Sequence, residues 1–260
     1  MIEILKFHIA NLHTRRQSAG LENTQLIAVF DLDGTLIRGD IGDAVFAMLL
    51  QAKHELGLTW SHYRHLLRQH RSLAYVEVVK AMAGLQRDTV ADITREVMQL
   101  SESYLQMNGD ALHTPKPRKL FQELIPLLKD QGFDILVVSA SNDVSVRVVT
   151  EQWFGIPSDR SFGIKLAEEN GVFTSQIMDP VPIGFGKTEI FRTLYPGINP
   201  FLTVTDSRLD IPLLRTTHPL GFSIWVGSDQ LNYKAVLSSL QPAHRILVVE
   251  GEESEASIEL

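Results

Sequence analysis

The sequence predicts an α/β protein, a parallel sheet with a helical bundle inserted after its first strand. Two observations carry that expectation. Five short apolar runs are continuous rather than alternating, as strands buried on both faces are: QLIAVF (25–30), FDILVV (133–138), FLTVT (201–205), FSIWV (222–226) and RILVV (245–249). A long stretch of helical periodicity separates the first two runs.

Taken in order, Ile2, Leu5, Ile9 and Leu12 recur at helical spacing and predict an N-terminal helix packed back on the body. Within the insert, Ala44, Val45, Met48, Leu49 and Ala52 follow Ile41 on one helical face. Trp60–Leu67 and Leu73–Ala83 read as two further helices, the latter ended by Gly84. Val90, Ile93, Val97, Leu100 and Tyr104 mark a fourth. HTPKP (113–117) returns the chain to the sheet, with Pro117 suited to open the next helix. Asn170-Gly171, between FGIKLAE and VFTSQIM, predicts a tight hairpin. The expected division is a helical extension at 1–23, a core at 24–40 and 111–249, a helical insert at 41–110 and a solvated acidic tail at 250–260.

Composition narrows the function classes. The 260 residues contain no cysteine, which removes disulfides, thiolate metal sites and cysteine nucleophiles. A net charge of -7 argues against non-specific binding to nucleic acid, which draws its affinity from Lys and Arg. No apolar stretch approaches the roughly 20 residues that span a bilayer. Glu3, Lys6, His8 and Asn11 interrupt the N-terminal run, so no signal peptide is expected and the chain reads as cytoplasmic. Nothing here predicts an oligomeric state.

Three of the strands end in polar residues suited to chemistry: Asp31, Ser139 and Asp206. Ligands of open α/β sheets bind beyond the carboxyl ends of the strands, so these three are expected at one edge. The first strand runs into DLDGTL. Carboxylates one residue apart in a strand project the same way, and a turn at Gly34 splays them. Such a pair can divide labour between a charged nucleophile and a proton donor of raised pKa. Read alone, the motif also fits an Asp-Gly turn with an incidental second acid.

Asp31-Leu32-Asp33-Gly34-Thr35 resembles the first signature of the haloacid dehalogenase superfamily. Ser139, closing LVVS, resembles the second, Lys187 in GFGKTEIF the third, and Asp206 and Asp210 in TDSRLDIPLL the fourth. The resemblance spans residues 25–226 and implies a Rossmann-like core with a C1-type helical cap. It also implies a magnesium-dependent phosphohydrolase. Asp31 would attack phosphorus and become an aspartyl-phosphate, and Asp33 would protonate the leaving oxygen. Asp31, the backbone carbonyl of Asp33, and Asp206 would hold Mg²⁺. Ser139, with Ala140 beside it, and Lys187 would bind the phosphoryl group. Thr35 would fix the loop on the phosphate side, and Asp210 would orient metal-bound water or Lys187. Dehalogenases lack the second acid, so Asp33 favours phosphoryl chemistry.

The insert and the hairpin before Lys187 are similar to the branch containing phosphoserine and phosphocholine phosphatases, implying a small phosphorylated substrate. Asp40 stands where phosphoserine phosphatases carry a substrate-binding Glu, and equally suits the N-cap of the helix at Ile41. Four positions depart from that enzyme: Ser-Ala-Ser (139–141) replaces Ser-Gly-Gly, Leu209 replaces Asn, and Thr205 replaces Gly. Plainer readings stand beside each role. Ser139 suits a helix cap near Asn142, Lys187 a surface lysine, and Asp210 an N-cap before Ile211-Pro212. The histidines show no HxxxH or HExxH spacing and read as structural, with a substrate contact open for His54, His62, His65 and His70 of the insert. GFGKT fails as a nucleotide-binding P-loop because Val181 occupies the place of its first Gly. Phosphoryl transfer to an organic acceptor, or a silent binding module of the same fold, are the alternatives.

Overall fold

The computed structural model describes residues 1–227, 230–241 and 244–249. The chain opens with α1 (Ile2–Ser18), β1 (Leu26–Phe30) and the short β2 (Ile37–Arg38). Four helices follow: α2 (Ile41–Gln51), α3 (Trp60–Gln69), α4 (Arg71–Lys80) and α5 (Arg87–Gln99). The hairpin β3 (Tyr104–Met107) and β4 (Asp110–His113) leads to β5 (Lys116–Pro117) and α6 (Lys119–Asp130). Then come β6 (Phe133–Asn142), α7 (Asp143–Phe154), β7 (Ser161–Glu169), β8 (Val172–Met178) and α8 (Phe185–Leu194). The last described elements are β9 (Leu202–Thr205), α9 (Ile211–Leu214), β10 (Phe222–Val226), α10 (Gln230–Ser239) and β11 (Ile246–Val249).

One seven-stranded sheet organises the molecule, in the order β11-β10-β9-β1-β6-β7-β8. All its neighbours are parallel except β7 and β8, the hairpin around Asn170-Gly171. The central strand explains why the apolar runs are continuous. Leu26, Ala28 and Phe30 pack into one core layer while Ile27 and Val29 pack into another with Phe191 and Leu213. Both faces of β1 are therefore buried. Leu5, Ile9 and Leu12 bury one face of α1, which packs against α6. Among the described residues, no helix is long and apolar enough to cross a membrane.

The chain leaves the sheet at β2 and returns at β5, two short strands paired antiparallel through Ile37–Pro117 and Arg38–Lys116. Between them, α5 packs on α2 and α7, and α4 packs on α3 and on the β7–β8 hairpin. The Gly84 amide donates to Phe173 O at 2.8 Å and that of Arg87 to Gly171 O at 2.9 Å, tying the insert to the hairpin. Two expectations are corrected here. The fourth helix stops at Gln99, and Tyr104 begins a strand paired with His113, its ring 4.7 Å from the His113 ring. The apolar spacing of Leu100 and Tyr104 continued a helical period that the hairpin overrides. Pro117 lies in β5 and Arg118 caps α6, because pairing with Ile37 holds Pro117 extended. The acidic tail at 250–260 lies outside the described residues.

Candidate active site

Because β1 lies between β6 and β9, their carboxyl ends share one edge. Phe30 is in register with Val137 on one side and Val204 on the other. The Asp31 amide extends the ladder by donating to Val204 O at 2.9 Å. Immediately beyond, Gly34 turns the chain with φ +71°, a conformation L side chains rarely adopt. A Cβ there would lie 2.1 Å from Asp206 Oδ2, so the absent side chain lets the DLDGT loop close on the end of β9. Arg118 Nη2 donates to Gly34 O at 3.1 Å and fixes the loop from the α6 side.

The edge opens into a cavity of 320 Å³. Lys187, buried in the first turn of α8, donates to Asp31 Oδ1 at 2.7 Å and to Asp210 Oδ2 at 2.8 Å. Thr205 donates to the same Asp210 oxygen at 2.7 Å, which gives a role to the residue standing in place of Gly. Gly186 brings the α8 turn in: a Cβ there would sit 1.7 Å from Val181 O. Asp33 is held from three sides. Ser139 and Ser141 donate to its Oδ2 at 2.9 and 2.8 Å, and the Ile41 amide donates to Oδ1 at 2.7 Å.

The sequence-predicted residues are brought together, with two changes of position. Asp31, Asp33, Asp40, Ala140, Lys187, Asp206 and Asp210 all line the cavity. Ser139 does not; it is fully buried in β6, its hydroxyl turned to Asp33 and accepting from the Ser141 amide at 3.0 Å. It is no helix cap, since Asn142 caps α7. Thr35 is likewise fully buried, outside the cavity lining, and donates to Asp206 Oδ1 at 3.2 Å. Asp40 both lines the cavity and N-caps α2, accepting from the Asp43 amide at 2.8 Å. Beneath it, Asp43 accepts the Tyr63 hydroxyl and pairs with Arg64 at 3.7 Å. His54, His62, His65 and His70 do not line the cavity.

Ser141, Arg71 and Tyr75 also line the cavity, and no role for them was read from the sequence. Arg71 and Tyr75 stand four apart on α4 and therefore share a helix face, the one signal that links them in sequence. They reach the cavity from the insert, opposite Asp31.

Five carboxylates and two cations, Lys187 and Arg71, line this space. Burial, reinforced by neighbouring acid charge, raises four of these acids. Burial pushes Asp31 up to about 7 even against Lys187, with Asp210 and Asp33 adding to the rise. Burial and the Asp40 charge push Asp33 up to about 7, against the hydrogen bonds from Ile41, Ser141 and Ser139. Asp206 reaches about 7 through burial and the charges of Asp31 and Asp210. Asp40 reaches about 7 through burial and the neighbouring Asp43. Burial alone would lower Lys187, but Asp210 and Asp31 outweigh it and hold the ammonium above its usual range.

Such a cluster fits a divalent cation. Its donors are all oxygen, its carboxylates exceed its cations, and Asp210 Oδ1 is buried without a hydrogen-bond partner. Among the described residues, no three His, Cys, Asp or Glu side chains form a metal site by themselves. The donor set here would combine two carboxylates with a backbone carbonyl and outer oxygens.

A model of haloacid dehalogenase-like hydrolases matches residues 28–215, well over half the chain and every residue of the cluster. The chain belongs to this family. Solved structures share the fold of this hydrolase. A conserved protein of unknown function from Anaerococcus prevotii is 16% identical with a TM-score of 0.63, over 86% of this chain and 85% of that one. A phosphoserine phosphatase described as a phospho-aspartyl intermediate analogue is 18% identical, with a TM-score of 0.57 over 90% and 99% of the two chains. A substrate-bound phosphoserine phosphatase complex is 18% identical, with a TM-score of 0.58 over 91% and 99%. No curated protein matches the sequence.

Proposed function

We propose that this hydrolase is a magnesium-dependent phosphomonoesterase that works through an aspartyl-phosphate on Asp31. The observation that carries the reading is the pairing of two unlike acids in one cavity. Asp31 is clamped by Lys187, and Asp33, two residues on, is held by two serine hydroxyls and an amide. The likeness to phosphoserine phosphatases supports it. Asp31, the Asp33 carbonyl and Asp206 would hold Mg²⁺, which screens the repulsion between a carboxylate and a phosphate dianion.

The rest of the chemistry falls to the chain itself. An Asp31 oxygen attacks phosphorus, the ester P–O bond breaks, and Asp33 gives its proton to the departing oxygen. Asp33 then takes a proton from water, which attacks the aspartyl-phosphate, releases inorganic phosphate and restores Asp31. Lys187 fixes the Asp31 carboxylate and neutralises charge on the phosphoryl oxygens. Ser139 and Ser141 position Asp33, Thr35 positions Asp206, and Asp210 positions Lys187. Ala140 brings backbone to the phosphoryl side.

The α2–α5 insert acts as the cap. It closes the cavity with Arg71 and Tyr75 and leaves 320 Å³, room for a small phosphorylated metabolite of the phosphoserine or phosphocholine class. Burial and the Asp40 charge keep the Tyr75 hydroxyl protonated, hence a donor. The test is a screen of small phosphomonoesters with magnesium and with chelator, beside Asp31→Asn. Turnover is expected with magnesium and lost in both controls. Metal-independent turnover, or a folded protein inert to every ester, contradicts the reading.

A further inference from the structure

A second cavity, of 460 Å³, lies at the opposite edge of the sheet and shares no lining residue with the catalytic one. Asn199 and Gly221, which line it, precede two parallel strands, β9 and β10, whose far ends face the catalytic side. Gly221 brings the strand starts together, since a Cβ there would meet Phe201 O at 2.3 Å.

In a chain of net charge -7, this cavity is lined by two arginines and two histidines and no acid. Arg215, the C-cap of α9, spends its Nε–H on Ser239 O at 3.0 Å. Arg245 places Nη1 3.3 Å from Leu220 O. Each bond holds one N–H of its guanidinium, and among the described residues neither arginine has an acidic partner; both are exposed, so their remaining N–H groups meet water and are open to a ligand.

Hydrogen-bond accounting fixes both imidazoles. His218 Nδ1 accepts from the Leu220 amide at 3.1 Å, which puts the proton of the neutral ring on Nε2 as a further donor. Thr217 donates to Leu214 O at 2.8 Å, so Thr203 donates to Thr217, and Ser223 in turn donates to Thr203, both at 2.7 Å. The Ser223 hydrogen is thereby used, and His244 Nε2–H must donate to Ser223 at 2.8 Å. A chain of buried hydroxyls thus locks the His244 ring from behind.

We propose that this cavity is a second ligand site, built for a small organic polyanion with two or more closely spaced phosphate or carboxylate groups. Paired guanidiniums match such oxygens bidentately, and the volume lies within the usual range for small-molecule sites, roughly 300–1,000 Å³. The ligand's charged oxygens would replace water as the acceptors of Arg215, Arg245 and the His218 Nε2–H.

The experiment is calorimetric titration of full-length protein, stripped of divalent cations on a chelating resin, with pyrophosphate and separately with citrate. At least one probe is expected to bind below about 1 mM, and the stronger arm assigns phosphate or carboxylate chemistry. Arg215→Gln combined with Arg245→Gln is expected to weaken it about tenfold or more. Gln241→Glu, which adds an acid to the lining with both arginines intact, is expected to weaken it likewise. Absence of binding by either probe overturns the proposal. So does affinity unchanged by these variants but lost in Arg71→Gln, which would place the anion in the catalytic cavity.

Discussion

Lys187 Nζ lies 2.7 Å from Asp31 Oδ1 across 156 residues of sequence, and the same ammonium holds Asp210 Oδ2 at 2.8 Å. One buried cation thus separates two buried acids and aims one of them into the cavity. In Lys187→Gln that separation is lost. The variant is expected to lose about 100-fold or more in kcat, the scale of removing one preorganised charge donor. Leaving the acids unpaired should also cost about 3–5 kcal/mol of stability at pH 8. Steady-state kinetics and urea unfolding check the two halves; a variant with near-wild-type kcat contradicts the role given to Lys187.

Four carboxylates of the cavity are pushed up from 3.8 to about 7: Asp31, Asp33, Asp40 and Asp206. For each, the folded state binds its proton more tightly than the unfolded chain. Their contribution to stability is therefore full below about pH 4 and is lost as pH rises through 7. A divalent cation competes with those protons, so it should stabilise most where they have left. The magnesium-induced rise in Tm is expected to be larger at pH 8 than at pH 5.5. Equal rises at both values, measured by scanning calorimetry, count against this cluster as the cation site.

Ser141 separates positioning from packing. Its hydroxyl donates to Asp33 Oδ2 and favours the charged form of that acid. A hydrogen bond to a charged group is worth about 1.5–3 kcal/mol, so Ser141→Ala should move the alkaline limb of kcat/KM upward by about one pH unit or more. Asp33 is required protonated when the leaving group departs, which sets the direction. An unmoved limb for alkyl phosphates would remove Asp33 as the acid or Ser141 as its support.

The core of the fold was legible because burial on both faces leaves a continuous apolar run, as in β1, and Asn170-Gly171 can hardly be anything but a tight turn. The cluster was legible because its acids and its lysine follow a strand or open a helix in short motifs, and Ser139 directly follows the apolar run 133–138. What escaped depended on tertiary contacts. Tyr104 extended a helical period in sequence, yet its partner is His113, and only pairing with Ile37 explains Pro117. Ser139 was legible as the hydroxyl after an apolar run, but β6 continues past it to Asn142 and its partner is set by the Asp33 rotamer, which no spacing encodes. Arg71 and Tyr75 reach the cavity only because α4 docks on β6 and the hairpin.

The direct test of the central claim is to trap the phosphoryl group. Protein mixed with magnesium and a turned-over phosphomonoester, quenched in acid within the first turnovers, should gain the mass of one phosphoryl group, localised by peptide mass spectrometry to Asp31 and absent from Asp31→Asn. A phosphoryl group on any other residue, or an Asp31→Asn protein that still hydrolyses the ester at the wild-type rate, would contradict it.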